Sequence, residues 1–291
     1  MSAPVRPQLD GERERQAHAR PSAHTPAATR WRPPLVILAS FVVHALALGA
    51  LVAAPDSWTW AAGALFVNHA VVATIGLSPR SRALGPNWTR LPAAAAARRA
   101  IAITIDDGPD PEVTPRVLDL LAREGVRATF FCVGDKVDRH PALCRAIVAG
   151  GHAIENHTAS HPLWFTLLGL GSIAREIARG QASIARATGT QPLFFRAPAG
   201  LRSPLLQPVL SRAGLQLAAW TRRGFDTRER DADTVLRRLV RNLGPGDILL
   251  LHDGNAARTS DGTPVILAVL PRLITAIRAA GLEPVTLRSA R

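Results

Sequence analysis

Ile101-Ala102-Ile103-Thr104-Ile105-Asp106-Asp107-Gly108-Pro109 is the stretch on which the reading of this chain turns. Its β-branched residues alternate with smaller ones, which predicts a strand over 101–105. Gly-Pro then forces a turn. Two adjacent carboxylates therefore stand where an apolar strand meets a tight turn. The same turn also serves as a plain helix entry with solvated acids, so its meaning depends on the ends of the other strands.

C-terminal to this stretch, short β-type runs alternate with helical ones. Helices are expected near 113–123, 137–149, 172–188, 203–213, 232–242 and 264–280. Strands are expected near 128–131, 152–155, 193–195, 215–218, 247–251 and 284–287. Such a series implies α/β architecture with a parallel sheet or barrel. In those folds reactive groups gather just past the C-terminal ends of strands, where several loops converge on one pocket.

Three strand ends carry such groups. After 152–155 comes Asn156-His157-Thr158-Ala159-Ser160-His161-Pro162, whose imidazoles, four residues apart, are expected to share one side of a helical turn. Joined by Asp107, they make two neutral nitrogens and one carboxylate, a facial set for a divalent cation that leaves positions open for water and substrate. After 193–195 comes Arg196-Ala197-Pro198-Ala199-Gly200, and the run Ile248-Leu249-Leu250-Leu251 ends in His252-Asp253.

In order and spacing, these segments resemble the polysaccharide deacetylase family, carbohydrate esterases with a distorted (β/α) barrel. Thr104 to Pro109 resembles the family's Thr-Phe-Asp-Asp-Gly-Pro turn. His157 to Pro162 resembles its His-Ser/Thr-x-x-His-Pro segment, and Arg196 to Gly200 its Arg-x-Pro-aromatic-Gly segment. The resemblance covers 100–291. It implies Asp106 as general base, Asp107, His157 and His161 as metal ligands, and His252 as general acid. It further implies that Arg196 orients Asp106 together with Asp226, and that the backbone N–H of Ala199 serves an oxyanion. The implied cofactor is a divalent metal, zinc first, with cobalt, nickel or iron as alternatives. Two positions depart from the family's pattern: Ala199 stands where an aromatic ring is usual, and Thr227 follows Asp226 where tryptophan is usual. Both imply a more open or more polar acyl pocket, with Leu250 as its apolar wall.

The chemistry is consistent with these roles. An amide resists neutral water, so its hydrolysis needs an activated water, a base to take the proton and an acid for the leaving amine. The expected activity is removal of an N-acyl, for instance acetyl, group from an amino sugar of a glycan. Two alternatives stand beside it, a deformylase or deacetylase of a lipid-linked amino sugar and an inactive glycan-binding member.

N-terminal to the domain, 78–99 is rich in Pro, Ser, Gly and Ala and reads as a linker, while 1–33 reads as a disordered basic tail. Between them lie two uncharged or nearly uncharged apolar runs, 34–54 and 58–77, read as a transmembrane hairpin. Trp58 and Trp60 suit the headgroup layer. Arg30 and Arg32 precede the first run, Arg80, Arg82 and Arg90 follow the second, and the turn has no basic residue. The positive-inside rule then keeps 100–291 on the cytoplasmic face of a bacterial inner membrane. If the second run with Asn68 and His69 fails to span, the domain is exported instead.

Composition supports a folded chain: 47% of the 291 residues are apolar and 20% charged. The net charge of +13 is carried almost wholly by arginine, Lys136 being the sole lysine. These arginines are spread along the chain without interleaved aromatics, which argues against nucleic acid and for anionic lipid as a partner. Cys132 and Cys144 are too few for a disulfide framework, and their pairing is left open.

Overall fold

The computed structural model describes residues 30–291, so most of the tail expected at 1–33 lies outside the described residues. Helix α1 (Leu35–Ala53) and helix α2 (Trp58–Gly76) are joined by a tight turn at Pro55–Ser57. Both are long and apolar enough to cross a membrane. Each has 19 residues, which at 1.5 Å rise makes about 28 Å, close to a hydrocarbon core. Across the hairpin, Asn68 Nδ2 donates to Ser40 Oγ at 2.9 Å, and the His44 and His69 rings meet edge to face at 5.2 Å.

After the short helix α3 (Ala93–Ala97), strand β1 (Ala100–Gly108) has all nine residues buried. It lies at the centre of a parallel sheet, where both faces are covered and the strand reads as a near-continuous apolar run. Alternation sorts its side chains. Ile101, Ile103 and Ile105 pack in the core beneath the helices, whereas Ala100 and Ala102 face the barrel interior with Phe131, Phe194 and Leu250. Small residues at this level leave space for the groups above them.

The chain continues through α4 (Val113–Arg123), β2 (Thr129–Cys132), α5 (Gly134–Arg139), α6 (Pro141–Ala149), β3 (Ala153–Asn156), α7 (Leu170–Thr188), β4 (Phe194–Phe195), α8 (Leu206–Ala213) and β5 (Gln216–Leu217). It ends with β6 (Arg222–Arg223), α9 (Ala232–Val240), β7 (Ile248–His252), α10 (Val265–Ala279) and β8 (Glu283–Pro284). The strand order is β5-β4-β3-β2-β1-β7-β6, with β8 paired to the start of β1. All these pairs are parallel.

β5 and β6 are opposite edges of this sheet, yet Leu217 and Arg222 are separated by only four residues. An extended chain covers at most about 18 Å over that distance, so the sheet must curl until its edges nearly meet. Residues 87–91 fill the remaining gap. Trp88 forms a parallel bridge with Ala218, Thr221 Oγ1 donates to the Thr89 carbonyl, and Leu91 N–H donates to Gly246. The result is the distorted (β/α) barrel expected from the sequence.

Two local expectations are corrected. The helix expected over 137–149 is two helices, because Pro141 lacks an N–H and opens a new first turn after His140. The strand β6 was not anticipated, because its two arginines are half-buried edge residues without apolar alternation.

Candidate active site

In an undisturbed strand Asp106 and Asp107 would point to opposite faces. Asp106 faces the interior by the alternation of β1. The β1–β2 register shifts between Asp106 and Gly108, and Asp107 takes φ +73°. That irregularity turns Asp107 back toward the same cavity, a common use of a bulge beside a site. Two close approaches hold it there. A Cβ at Gly254 would fall 2.0 Å from the Asp107 carbonyl oxygen, and one at Gly108 would fall 2.5 Å from the Asp253 carboxylate. Lys136 Nζ donates to the Asp107 carbonyl at 2.7 Å, and Asn255 Nδ2 donates to its Oδ2 at 3.0 Å.

His157 and His161 come from the loop after β3, which is not the helical turn expected from their spacing. Thr158 has φ +69° and His161 φ +54°, so the loop reverses and returns the second imidazole over the first. Asn156 Oδ1 accepts the Thr158 N–H, and Thr158 Oγ1 accepts the His161 N–H, which fixes this loop locally. His157 Nε2 lies 3.2 Å and His161 Nε2 3.1 Å from Asp107 Oδ1. The three candidate ligand atoms lie within 4.8 Å of one another. His157 Nδ1 bonds to the Arg196 carbonyl at 2.8 Å, orienting its Nε2 toward Asp107.

Asp107 Oδ1 is buried with no hydrogen-bond partner. Burial disfavours its charge, but the two imidazoles and His252 outweigh burial and hold the carboxyl below the usual carboxylate range. One carboxylate oxygen and two ring nitrogens thus converge, an arrangement that demands positive charge among them. This donor set fits a divalent metal.

Arg196 is almost fully buried, and its guanidinium makes four hydrogen bonds. Nη1 donates to Asp106 Oδ1 at 2.6 Å and to Thr104 Oγ1 at 2.8 Å, while Nε and Nη2 reach the Ala218 and Ala219 carbonyls at 3.0 and 2.7 Å. Its plane lies over Phe131, 4.1 Å from the ring centre. A buried charge so fully paired is a fixed point against which Asp106 is held.

Asp226 does not join Arg196 at Asp106, contrary to expectation. Its two oxygens accept the backbone N–H of His252 at 2.7 Å and bond His252 Nδ1 at 2.9 Å. Because β6 leaves the sheet beside β7, the residues after it fold over His252 rather than over β1. Burial works against the charged imidazolium of His252. Asp226, with Asp106 and Asp107 nearby, outweighs burial, and the pKa is pushed up to about 9. Behind the site, burial pushes Asp253 up to about 7 against a 2.5 Å hydrogen bond from Thr114 Oγ1.

A cavity of about 310 Å³ collects these groups. Asp106, Asp107, His157, His161 and His252 all line it, as do Ala199 and Leu250. Ala199 has φ +53° in a tight turn at Pro198–Gly200. Arg196 and Asp226 stand behind it and act through their neighbours. Trp220, Arg223, Phe225, Thr227, Arg228 and Asn255 also line the cavity, and of these only Thr227 attracted notice from sequence. Their signal was position alone, immediately before and after Asp226 or just past His252. Cys132 and Cys144 are free and buried; burial pushes both thiols up, Cys144 to about 12.

The end of the apolar hairpin and the residues after it touch segments next to the cavity lining. Arg202 N–H donates to the Gly76 carbonyl at 3.1 Å, Arg202 Nη2 donates to the Ser81 carbonyl, and Arg80 Nη1 reaches the Thr221 carbonyl at 3.1 Å. Residues 78–99 are not a free tether: Leu84, Asn87, Leu91 and Ala95 are buried.

Comparison with known proteins agrees with this geometry. The polysaccharide deacetylase family model matches residues 93–218. A peptidoglycan-N-acetylglucosamine deacetylase of Bacillus cereus is 36% identical over 177 residues, covering 60% of this chain and 82% of that protein. A chitooligosaccharide deacetylase of Sinorhizobium fredii is 33% identical over 188 residues, covering 62% and 87%. Among solved structures, a family 4 carbohydrate esterase from Streptomyces lividans in complex with acetate superposes with a TM-score of 0.59 at 32% identity, over 66% of this chain and 95% of that one. With the motifs, the curled parallel barrel and these relatives in agreement, the chain belongs to the polysaccharide deacetylase family of carbon–nitrogen hydrolases.

Proposed function

We propose that this protein removes the N-acetyl group from an amino sugar of a glycan, as a metal-dependent hydrolase anchored to a membrane by α1 and α2. The observation that carries the reading is the shared cavity. Asp107, His157 and His161 form one cluster in it, with Asp106 held by Arg196 and His252 held by Asp226 lining the same space.

Asp107, His157 and His161 would hold the cation, and two imidazoles with a carboxylate suit zinc, while cobalt, nickel or iron accept the same set. Bound there, a divalent cation supplies Lewis acidity, polarising the acyl carbonyl and lowering the pKa of water. Asp106 takes the proton of the attacking water, and its bond to Arg196 keeps it aimed. His252, bonded through Nδ1 to Asp226, donates from Nε2 to the departing amine. The Ala199 N–H serves the oxyanion. Leu250 and Trp220 supply an apolar wall for the acyl methyl group.

A second reading, an amino sugar carried on a lipid at the inner leaflet, is favoured by a specific surface. Directly after His161-Pro162, Leu163, Trp164 and Leu167 are 84%, 61% and 82% exposed. Phe165 of the same loop is buried with Ala197 and Leu206, and the segment between those two holds the end of α2 through Arg202. Apolar loop and hairpin thus brace one wall of the cavity, which supports an opening at the headgroup layer.

The test is acetate release from chitotetraose and from a lipid-linked N-acetylglucosamine, using the detergent-purified chain with added Zn(II) and its Asp106→Asn variant. Release by the native chain and none by the variant is expected. Equal rates from both would sink the assigned roles.

A further inference from the structure

Several arginines of the catalytic domain have carboxylate partners, such as Arg179 with Asp135, Arg238 with Glu229, Arg258 with Glu112 and Arg278 with Glu124. Arg223 and Arg228 are set apart by their position. Both line the active cavity, and no carboxylate lies within ion-pair distance of either among the described residues. The nearest acids are already engaged, Asp226 by His252 and Asp106 by Arg196.

Arg223 is also held in place. Its guanidinium carbon lies 4.4 Å from the Phe225 ring centre and 5.2 Å from that of Trp220, and its Nε is buried with no hydrogen-bond partner. Phe225 is itself kept at φ +63°, a conformation unfavourable for an aromatic residue, and the residue is 46% exposed. A solvated surface arginine requires neither the stacking nor the strain. Stacked on aromatics, a guanidinium keeps its in-plane N–H fork free for a planar or tetrahedral oxyanion.

We infer that Arg223, with Arg228 beside it, is an anion subsite within the deacetylase cavity, so that the amino sugar this chain takes carries a phosphate or a carboxylate group. The inference rests on the deacetylase reading above and narrows its substrate class. Two sources share this chemistry: the phosphate joining a sugar to a lipid carrier, and a carboxylate on the glycan itself.

Three probes of similar size separate them: N-acetylglucosamine 1-phosphate, N-acetylmuramic acid and the neutral methyl glycoside of N-acetylglucosamine. The zinc-loaded chain is expected to show at least about tenfold higher kcat/KM on one anionic probe than on the neutral one, falling as salt is raised. Preference for the phosphate assigns the carrier, and preference for the carboxylate assigns the glycan. Arg223→Gln should bring anionic and neutral values to within about twofold of each other, with Arg223→Lys intermediate. Equal kcat/KM on all three probes, or an equal loss on all three in Arg223→Gln, would overturn the subsite.

Binding is read separately. Calorimetry of N-acetylglucosamine 1-phosphate with Asp106→Asn should weaken about tenfold when Arg223→Gln is added. An unchanged Kd would overturn the subsite, whereas weakened binding with no acetate release from any probe would overturn the deacetylase reading alone.

Discussion

Asp106 and Asp107 are neighbours in sequence with separable tasks, and the separation can be measured. Asp106 touches Arg196 and stands 3.9 Å from His157 Nε2, whereas Asp107 Oδ1 lies between both imidazoles. Asp106→Asn keeps the shape and removes the base, so elemental analysis should find the native metal content while turnover falls by about 10²–10⁴-fold. His157→Ala removes a ligand, and its metal content should fall with its activity. The same metal content in both variants would contradict the division. His252 offers a second measurement. As the acid it must be protonated, and its pKa of about 9 means that activity is retained below that pH and lost as pH rises through it. Asp226→Asn deletes the partner that raises this pKa and leaves burial, which lowers it. The alkaline limb of the kcat/KM profile should therefore move to lower pH, and a limb that stays put would separate Asp226 from the acid. Asp106, Asp107, His157, His161, Arg196 and His252 were legible because each follows an apolar run at a strand's end. The partner of Asp226 was not, because it depends on which edge of the sheet β6 joins. Arg223 escaped notice for a related reason: nothing in Trp220-Thr221-Arg222-Arg223-Gly224 marks an arginine stacked inside a cavity.

At the level of elements, periodicity located the helices well where one face alone is apolar. α4 was expected over 113–123 and occupies Val113–Arg123. It failed where tertiary pairing decides. β4, β5, β6 and β8 are two residues each; β4, β5 and β8 were expected from sequence at longer bounds, whereas β6 was not, because its strand character comes from its pairing with β7. Residues 87–91 are the clearest case. They look like a linker by composition, yet they fill the gap between the β5 and β6 edges, with Trp88 stacked edge-on against Phe194 at 5.0 Å. That contact makes the preceding segment part of the fold. Trp88→Ala should lower stability by roughly 2 kcal/mol, below the usual range for buried tryptophan because the ring is half-exposed. Chemical denaturation in detergent reads it. A change within about 0.5 kcal/mol, as for an ordinary surface site, would return 78–99 to the status of a tether.

On the scale of the whole molecule, hairpin and barrel constrain each other. α2 ends at Gly76, and five residues later Ser81 already accepts from Arg202, so the catalytic domain has little freedom to swing away from the hairpin. A Cβ at Gly76 would lie 2.3 Å from the Arg202 carbonyl oxygen, so the contact needs a residue without a side chain there. With basic residues at both ends of the hairpin and none in its turn, the domain is expected on the cytoplasmic side. A fluorescent protein fused after Arg291 should then fluoresce, and a periplasmic phosphatase at the same place should be inactive. The exposed Leu163, Trp164 and Leu167 extend the argument from side to depth. If the wall they share with α2 lies at the headgroup layer, these side chains enter the acyl boundary. A spin label on Leu167→Cys can report this, because Cys132 and Cys144 are buried and resist labelling. In proteoliposomes, lipid-dissolved oxygen should relax the label more than an aqueous nickel complex does. The opposite order would place the loop in water, leaving the hairpin as the sole membrane contact and a water-borne glycan as the better substrate.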